Sequence, residues 1–176
     1  MSALVVNLFA GPGSGKSTMA AGLFYKLKSA GVNCELAGEY AKDLAWEGGN
    51  EKIADQIYVF AKQQRRVLRL ADKVDVVICD SPTILGLAYM PQHYPESFTD
   101  LVKWQFNQYN NLNIFVERKK AFNPKGRFHT EEESKQKDVE IKKLMSDCNL
   151  SWESVEGNDD GLKLVFDHIV NIELKL

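Results

Sequence analysis

Cysteine is scarce, and its spacing suits neither a cross-link nor a metal site. Cys34, Cys79 and Cys148 are the only three and lie far apart, which argues against a disulfide frame or a zinc knuckle and fits a reducing cytosol. No apolar run approaches the roughly 18 residues of a membrane span, so a soluble, cytoplasmic protein with no membrane partner is expected. The apolar stretch MSALVVNLFA has no basic residue ahead of it, and glycines and a lysine follow at once; it reads as a strand rather than a leader. Charge of one sign is missing too. A net charge of -2 gives no global attraction to nucleic acid or anionic lipid, so any polyanion contact must be local. There is no internal repeat and no low-complexity tract. What is present is 44% hydrophobic and 26% charged over 176 residues, the make-up of one ordinary domain with one core.

The pattern along the chain alternates strand and helix. Ala3 to Ala10 is almost continuously apolar, as suits a parallel strand covered on both faces. From Lys16 to Ala30 the apolar residues Met19, Ala20, Leu23, Phe24 and Leu27 recur at helical spacing, and Gly31 stands where a C-cap belongs. Asn33 to Ala37 predicts a short strand. Asn50 predicts the cap of one long helix through Ile53, Ile57, Ala61, Val67, Leu68 and Ala71. VDVVIC, Val74 to Cys79, predicts a strand that places Asp80 at its carboxyl end, before Pro82. A helix over 98–109, a strand over 112–116, a capping box of Thr130 and Glu133 opening a charged helix, a strand over 152–155 and a helix over 161–172 complete the series. Such alternation predicts a single α/β domain over 1–176 with a five-stranded, mostly parallel sheet and helices on both faces. Ligands of such sheets bind beyond the carboxyl ends of the strands.

The most informative stretch is FAGPGSGKST. Residues 10–17 match the phosphate-loop pattern with Ala10 in the place of its first glycine, then Gly15, Lys16 and Ser17 at the required spacing. A plain strand-to-helix turn has no use for three glycines, which are costly to order; a bound anion would offset that cost. Gly11, Gly13, Ser14, Gly15, Lys16, Ser17 and Thr18 are therefore the candidate cofactor-binding set. In that reading backbone amides and the helix N-terminus converge on phosphate oxygens, and Lys16 reaches the β- and γ-phosphates. Ser17 joins a Mg²⁺ shell, and Thr18 holds the α-phosphate.

Other strand ends supply the remaining candidates. Asp80 is the candidate metal-organising carboxylate, with a turn-capping role as the alternative. Glu39, in LAGEYAKDL, is either a general base or orienting group facing an acceptor hydroxyl, or an N-cap or first-turn acid of the next helix; Tyr40 beside it is an acceptor-side candidate. After the fourth strand, ERKKAFNPKGRFHTEEE carries Arg118, Lys119, Lys120, Lys125 and Arg127. It predicts a basic lid over about 118–130, whose Arg118 and Arg127 would neutralise charge on a transferred phosphoryl group; a solvated basic loop is the alternative. Gly157 and Asn158 are placed by topology beside the adenine. Gln64 falls on the apolar stripe of its helix, where its amide either pairs with backbone or reaches an acceptor pocket with Arg65 and Tyr58. Tyr89, Met90, His93 and Tyr94 either line that pocket or serve the core.

No glycine lies three residues after Asp80 and no Asn-Lys-x-Asp motif occurs, which argues against a GTPase switch. No LSGGQ-like segment occurs and the length leaves no room for a transporter's extra domain, so a small kinase remains. On GPGSGKST, GEYAKD, DQIYVFAKQQRR, ICDSP and GRFHTEEE the chain resembles the phosphate-loop kinases related to the nicotinamide riboside kinase module of bacterial NAD regulators, a set that includes many bacteriophage ATPase-type proteins. The resemblance implies ATP and Mg²⁺ as cofactors, a nucleoside- or nucleotide-like acceptor, Glu39 near the acceptor hydroxyl and arginines in the lid. The adenylyltransferase module of those regulators has no counterpart in the 176 residues, which argues against a role in NAD synthesis. The expected activity is transfer of the γ-phosphoryl group of ATP to a hydroxyl or phosphate of such an acceptor. Two rivals stand beside it: a bacteriophage kinase acting on a hydroxymethylated base such as 5-hydroxymethyluracil in DNA, and an ATP-binding sensor without catalysis.

Overall fold

The computed structural model describes residues 3–119, 121, 123 and 130–174. Five parallel strands form one sheet in the order β2-β3-β1-β4-β5. Strand β1, Leu4–Phe9, is buried along its whole length, which accounts for its unbroken apolar run: covered on both faces, it has no solvent side to mark with polar residues. Its register pairs Leu4 with Val76 and Asn7 with Cys79 on β3, Val76–Cys79, and Phe9 with Phe115 on β4, Asn110–Glu117. Strand β2, Cys34–Ala37, flanks β3, and β5, Glu153–Glu156, flanks β4. The carboxyl ends therefore come out along one edge, and Asp80 is held there by its amide, which donates to the Ala37 carbonyl at 3.2 Å.

Helices cover both faces. On one side α1, Lys16–Ser29, contributes Met19, Ala20, Leu23 and Leu27 to the larger core cluster together with Leu4, Val6 and Leu8. It ends in a Schellman turn: the Val32 amide donates to Leu27 O at 2.9 Å and the Gly31 amide to Lys28 O at 3.0 Å, with Gly31 at φ 80°. On the other side Val67 of α4, Gln56–Leu68, joins Val5, Val77 and Cys79 in a second, smaller cluster. Around these lie α5, Glu96–Phe106, α6, Glu131–Asp147, and α7, Asp159–His168, which continues as a π-helical turn through Glu173.

One local prediction is corrected. The single helix expected from Asn50 to Ala71 is two: α3, Asn50–Ala54, capped by Gly49 rather than by Asn50, and then α4. At Asp55 the backbone leaves the helix (ψ 86°), and its carboxylate accepts from the Tyr58 amide at 3.1 Å, so the apolar periodicity ran straight across a local N-cap. A further helix, α2, Tyr40–Trp46, follows β2, with Glu39 as its N-cap residue, one of the two alternatives held open for that side chain. It is too short for its single buried residue, Leu44, to give a periodic signal. The Thr130–Glu133 capping box is present, with both reciprocal hydrogen bonds.

Candidate functional site

The loop between β1 and α1 takes its shape from its glycines. Gly13 (φ 77°) and Gly15 (φ 110°) adopt left-handed backbone that a side chain would strain. Gly15 caps α1, so the helix opens at the loop with its first amides unpaired within the helix. Lys16 is almost fully buried, and its ammonium folds back over the loop to donate to Ala10 O at 2.8 Å and Gly11 O at 3.1 Å. The expected cradle thus exists as backbone, with a cation held at its centre.

Two buried oxygens beside it have no partner among the described residues: Ser14 Oγ and Asp80 Oδ1. A carboxylate oxygen that is buried and unpaired is costly, and it implies a missing cation or donor. Ser17 Oγ receives only the exposed Lys42 ammonium, at 3.4 Å. No cluster of three His, Cys, Asp or Glu side chains suited to a metal exists among the described residues. One hydroxyl and one carboxylate are nonetheless the protein share of a Mg²⁺ shell completed by phosphates and water, and Ser17 with Asp80 fits that donor set.

Opposite the loop, Gln63 of α4 is buried and bonded twice to the end of β2. Its Oε1 accepts from the Tyr40 amide at 2.9 Å, and its Nε2 donates to Gly38 O at 3.1 Å. Arg66 donates to the same Gly38 carbonyl at 3.2 Å, forms an ion pair with Asp43, and lies over the Tyr40 ring. The Tyr40 and Tyr58 hydroxyls share a 2.7 Å hydrogen bond, which is the main reason Tyr40 ionises only at about 12. Glu39 stands at the N-cap of α2, partly buried, without a capping bond to that helix. Burial first, then the charges of Glu39, Asp138 and Glu140, push the Tyr89 phenol upward. Glu39, Asp138 and Glu140 therefore lie within electrostatic reach of Tyr89, and the space beyond the carboxyl ends of the strands, where ligands of such sheets bind, is the candidate crevice.

Three expectations for this crevice change. The buried amide of α4 is Gln63, one residue before Gln64, because the break at Asp55 resets the helical phase. Gln64 is only half-buried, near the Tyr109 phenol, and Arg65 is exposed. Arg118 does not stand free above the loop. It is paired with Asp138 at 3.0 Å, donates to Pro12 O at 3.1 Å and to Ser134 Oγ at 3.0 Å, and is nearly buried. Gly11, the first candidate of the loop, gives its amide to Asp138 Oδ1 at 2.5 Å rather than keeping it for a ligand. Arg127, Lys120 and Lys125, with most of the expected lid, lie outside the described residues.

On the far side of α1, a small pocket is lined by Gly15, Thr18, Met19, Gly157, Asn158 and Leu162. Gly157 is packed so closely that an added Cβ would stand 2.9 Å from Ser14 O and 3.1 Å from Glu117 O. The Asn158 side chain caps α7, accepting from the Gly161 amide at 3.0 Å. Both residues line this pocket beside Gly15 and Thr18, and both also serve the fold. Met90 and Tyr94 pack against the core, and Tyr94 Oη accepts from the Gln56 amide at 3.1 Å. Sequence reasoning missed Gln63, Lys42, Ser134 and Asp138. The last two sit in the run ESKQKD, where nothing separates them from solvated helix charges.

A parallel sheet of order β2-β3-β1-β4-β5 with a glycine loop after its central strand defines a phosphate-loop protein of kinase-like fold. The chain matches the model of an AAA domain family over residues 5–159 and belongs to that family. No curated protein is matched. Among solved structures it is similar to the NadR protein in complex with NAD and AMP-PNP, with a TM-score of 0.71 at 15% identity, over 95% of this chain and 48% of that one. It thus spans about half the length of that relative. It is also similar to YorR of Bacillus subtilis in complex with phosphorylated GDP (TM-score 0.54, 20% identity, covering 98% and 96%). Shikimate kinase of Bacteroides thetaiotaomicron is a third, with a TM-score of 0.52, 11% identity and full coverage of both chains. Among the described residues no helix is long and apolar enough to cross a membrane.

Proposed function

We propose that this domain is an ATP- and Mg²⁺-dependent kinase that moves the γ-phosphoryl group to a hydroxyl or phosphate of a nucleoside- or nucleotide-like acceptor. The observation that carries the proposal is the pairing of a preformed glycine cradle around Lys16 with an unpartnered buried carboxylate oxygen on Asp80. Similar folds bound to AMP-PNP and to phosphorylated GDP support a nucleotide as the ligand.

In this reading the amides of residues 13–18 bind the triphosphate, and Lys16 exchanges its two carbonyl partners for phosphate oxygens. Ser17 and Asp80 hold the metal, which when bound neutralises charge on the β- and γ-phosphates. Lys42, released from Ser17, is placed to follow that charge. Glu39 at the crevice orients the acceptor hydroxyl or takes its proton. Tyr40, held by Gln63 and Arg66, forms the acceptor wall, and Gly157 with Asn158 borders the base. Incubation with labelled ATP and a panel of nucleosides and nucleotides tests the proposal. Lys16→Ala should abolish binding and transfer, and Glu39→Gln should keep binding and depress transfer. Unimpaired transfer by both variants defeats the assignment.

A second acceptor class is favoured by one observation. Lys62, Arg65 and Arg69 stand exposed along α4, the helix whose Tyr58 and Gln63 build the acceptor wall, and such a basic stripe suits a nucleic-acid backbone. Duplex DNA containing 5-hydroxymethyluracil belongs in the same panel, where label on the DNA alone selects it. Tight ATP binding with no labelled acceptor marks a sensor.

A further inference from the structure

The group at Asp138 has a geometry that nucleotide binding by the loop does not by itself require. Helix α6 approaches the first half of the loop so closely that a Cβ on Gly11 would lie 2.5 Å from Ser134 O and 2.9 Å from Asp138 Oδ1. Gly11 has no left-handed backbone to explain it, so its glycine is required by this approach. Asp138 Oδ1 accepts the Gly11 amide at 2.5 Å, while its Oδ2 accepts from Arg118 Nη2 at 3.0 Å and Nε at 3.3 Å. Arg118 and the Ser134 hydroxyl then both donate to the Pro12 carbonyl. The Gly11 carbonyl, in turn, accepts from the Lys16 ammonium at 3.1 Å. A single glycine thus links Asp138 on one side to the phosphate-binding lysine on the other.

We propose that Asp138 is a positioning residue for the phosphate loop, acting through the Gly11 amide, with Ser134 of the same helix and Arg118 at the end of β4 fixing Pro12. The inference rests on the reading of the loop as a phosphate site. Asp138 acts by geometry: its oxygen fixes the plane of the peptide that precedes Gly11, and with it the Ala10 carbonyl, to which Lys16 donates at 2.8 Å. The pair with Arg118 leaves the cluster close to neutral, so the carboxylate does not set a net negative charge against an incoming phosphate.

The test compares Asp138→Ala, which removes the acceptor for the Gly11 amide, with Asp138→Asn, which keeps an oxygen there and removes the charge. Titration with Mg²⁺·AMP-PNP should show the alanine variant weakened about tenfold or more, as outer-layer positioning partners commonly are, and the asparagine variant within about threefold of wild type. In the ligand-free proteins, hydrogen exchange in the segment 10–16 should accelerate for alanine and not for asparagine. Ser134→Ala, a milder variant, should weaken binding in the same direction and stands in if Asp138→Ala loses its cooperative thermal transition. Equal losses in the alanine and asparagine variants, or wild-type affinity in both Asp138→Ala and Ser134→Ala, overturn the proposal. Failure of the wild-type protein to bind Mg²⁺·AMP-PNP defeats the proposed function instead, and the exchange comparison then decides this inference alone.

Discussion

Gln63 and Tyr40 are joined across the crevice by a 2.9 Å hydrogen bond from the Tyr40 amide to the Gln63 Oε1, and the same side chain returns a bond to Gly38. One amide thereby satisfies the two backbone groups released where β2 stops and α2 begins, at the place where Glu39 is presented. Gln63→Leu would leave the Tyr40 amide without this partner and the Gly38 carbonyl with Arg66 alone, a loss of about 1–3 kcal/mol. Gln64→Leu, one residue along on a half-buried position, should cost less. Denaturant unfolding of the two variants should separate them, and equal losses would show that Gln63 does not anchor this corner.

Raised ionisation constants in the same region make the fold sensitive to alkali. The Cys79 thiol is pushed up to about 12, chiefly by burial, and Tyr40 to about 12, chiefly by its bond to Tyr58. Both groups are neutral when folded. A folded value raised above the unfolded one contributes stability that is complete below the unfolded value, near 9 for the thiol and 10 for the phenol. That stability is lost as pH climbs towards 12. Unfolding free energy should therefore be flat in this respect from neutral pH to about 9 and fall steeply above it. Cys79→Ala should lessen the slope, and an unchanged slope would remove the thiol from the account.

The sheet and the loop were legible because their signals are local: buried parallel strands read as apolar runs, and a phosphate loop is a fixed spacing of glycines. The crevice was less legible because its contacts are not local. Asp55 interrupts a helix whose apolar periodicity continues past it, so the buried amide fell on Gln63 and not Gln64. Asp138 meets Gly11 from 127 positions away, and no periodicity carries that information. Arg118 was singled out as a lid residue on its charge, but the orientation of that charge depends on α6, which packs against the loop only in three dimensions.

The glycines differ in what requires them, and alanine distinguishes them. Gly31 has φ 80° and open space around it, so Gly31→Ala should cost only left-handed strain, about 1–2 kcal/mol. Gly11 has no such φ, but an added methyl collides with the Ser134 carbonyl of α6, a backbone atom that cannot swing aside. Gly11→Ala should cost about 1–3 kcal/mol by overpacking and should also weaken Mg²⁺·AMP-PNP binding, which Gly31→Ala should leave alone. Calorimetric titration alongside denaturant unfolding checks both halves, and an unaffected titration for Gly11→Ala would detach α6 from the loop.

Asp80 presents the sharpest opposition between stability and function. Its side chain is 6% exposed, and Oδ1 has no hydrogen-bond partner among the described residues, so the ligand-free protein carries an uncompensated acceptor at the sheet edge. Such a group persists where it serves a ligand, and removing its charge should relieve the apo state. Asp80→Asn keeps the volume, removes the charge and adds a donor that can find a carbonyl. It should raise the unfolding free energy of the ligand-free protein by about 1–3 kcal/mol, the scale of an unsatisfied buried polar group. The same variant should lose the dependence of nucleotide affinity on Mg²⁺ concentration, because in the proposed reading Ser17 alone would remain to hold the metal. Thermal unfolding without ligand and titrations at several Mg²⁺ concentrations measure the two effects separately. A destabilised apo protein with unchanged Mg²⁺ dependence would mean that the carboxylate serves the turn before Pro82 and not the metal.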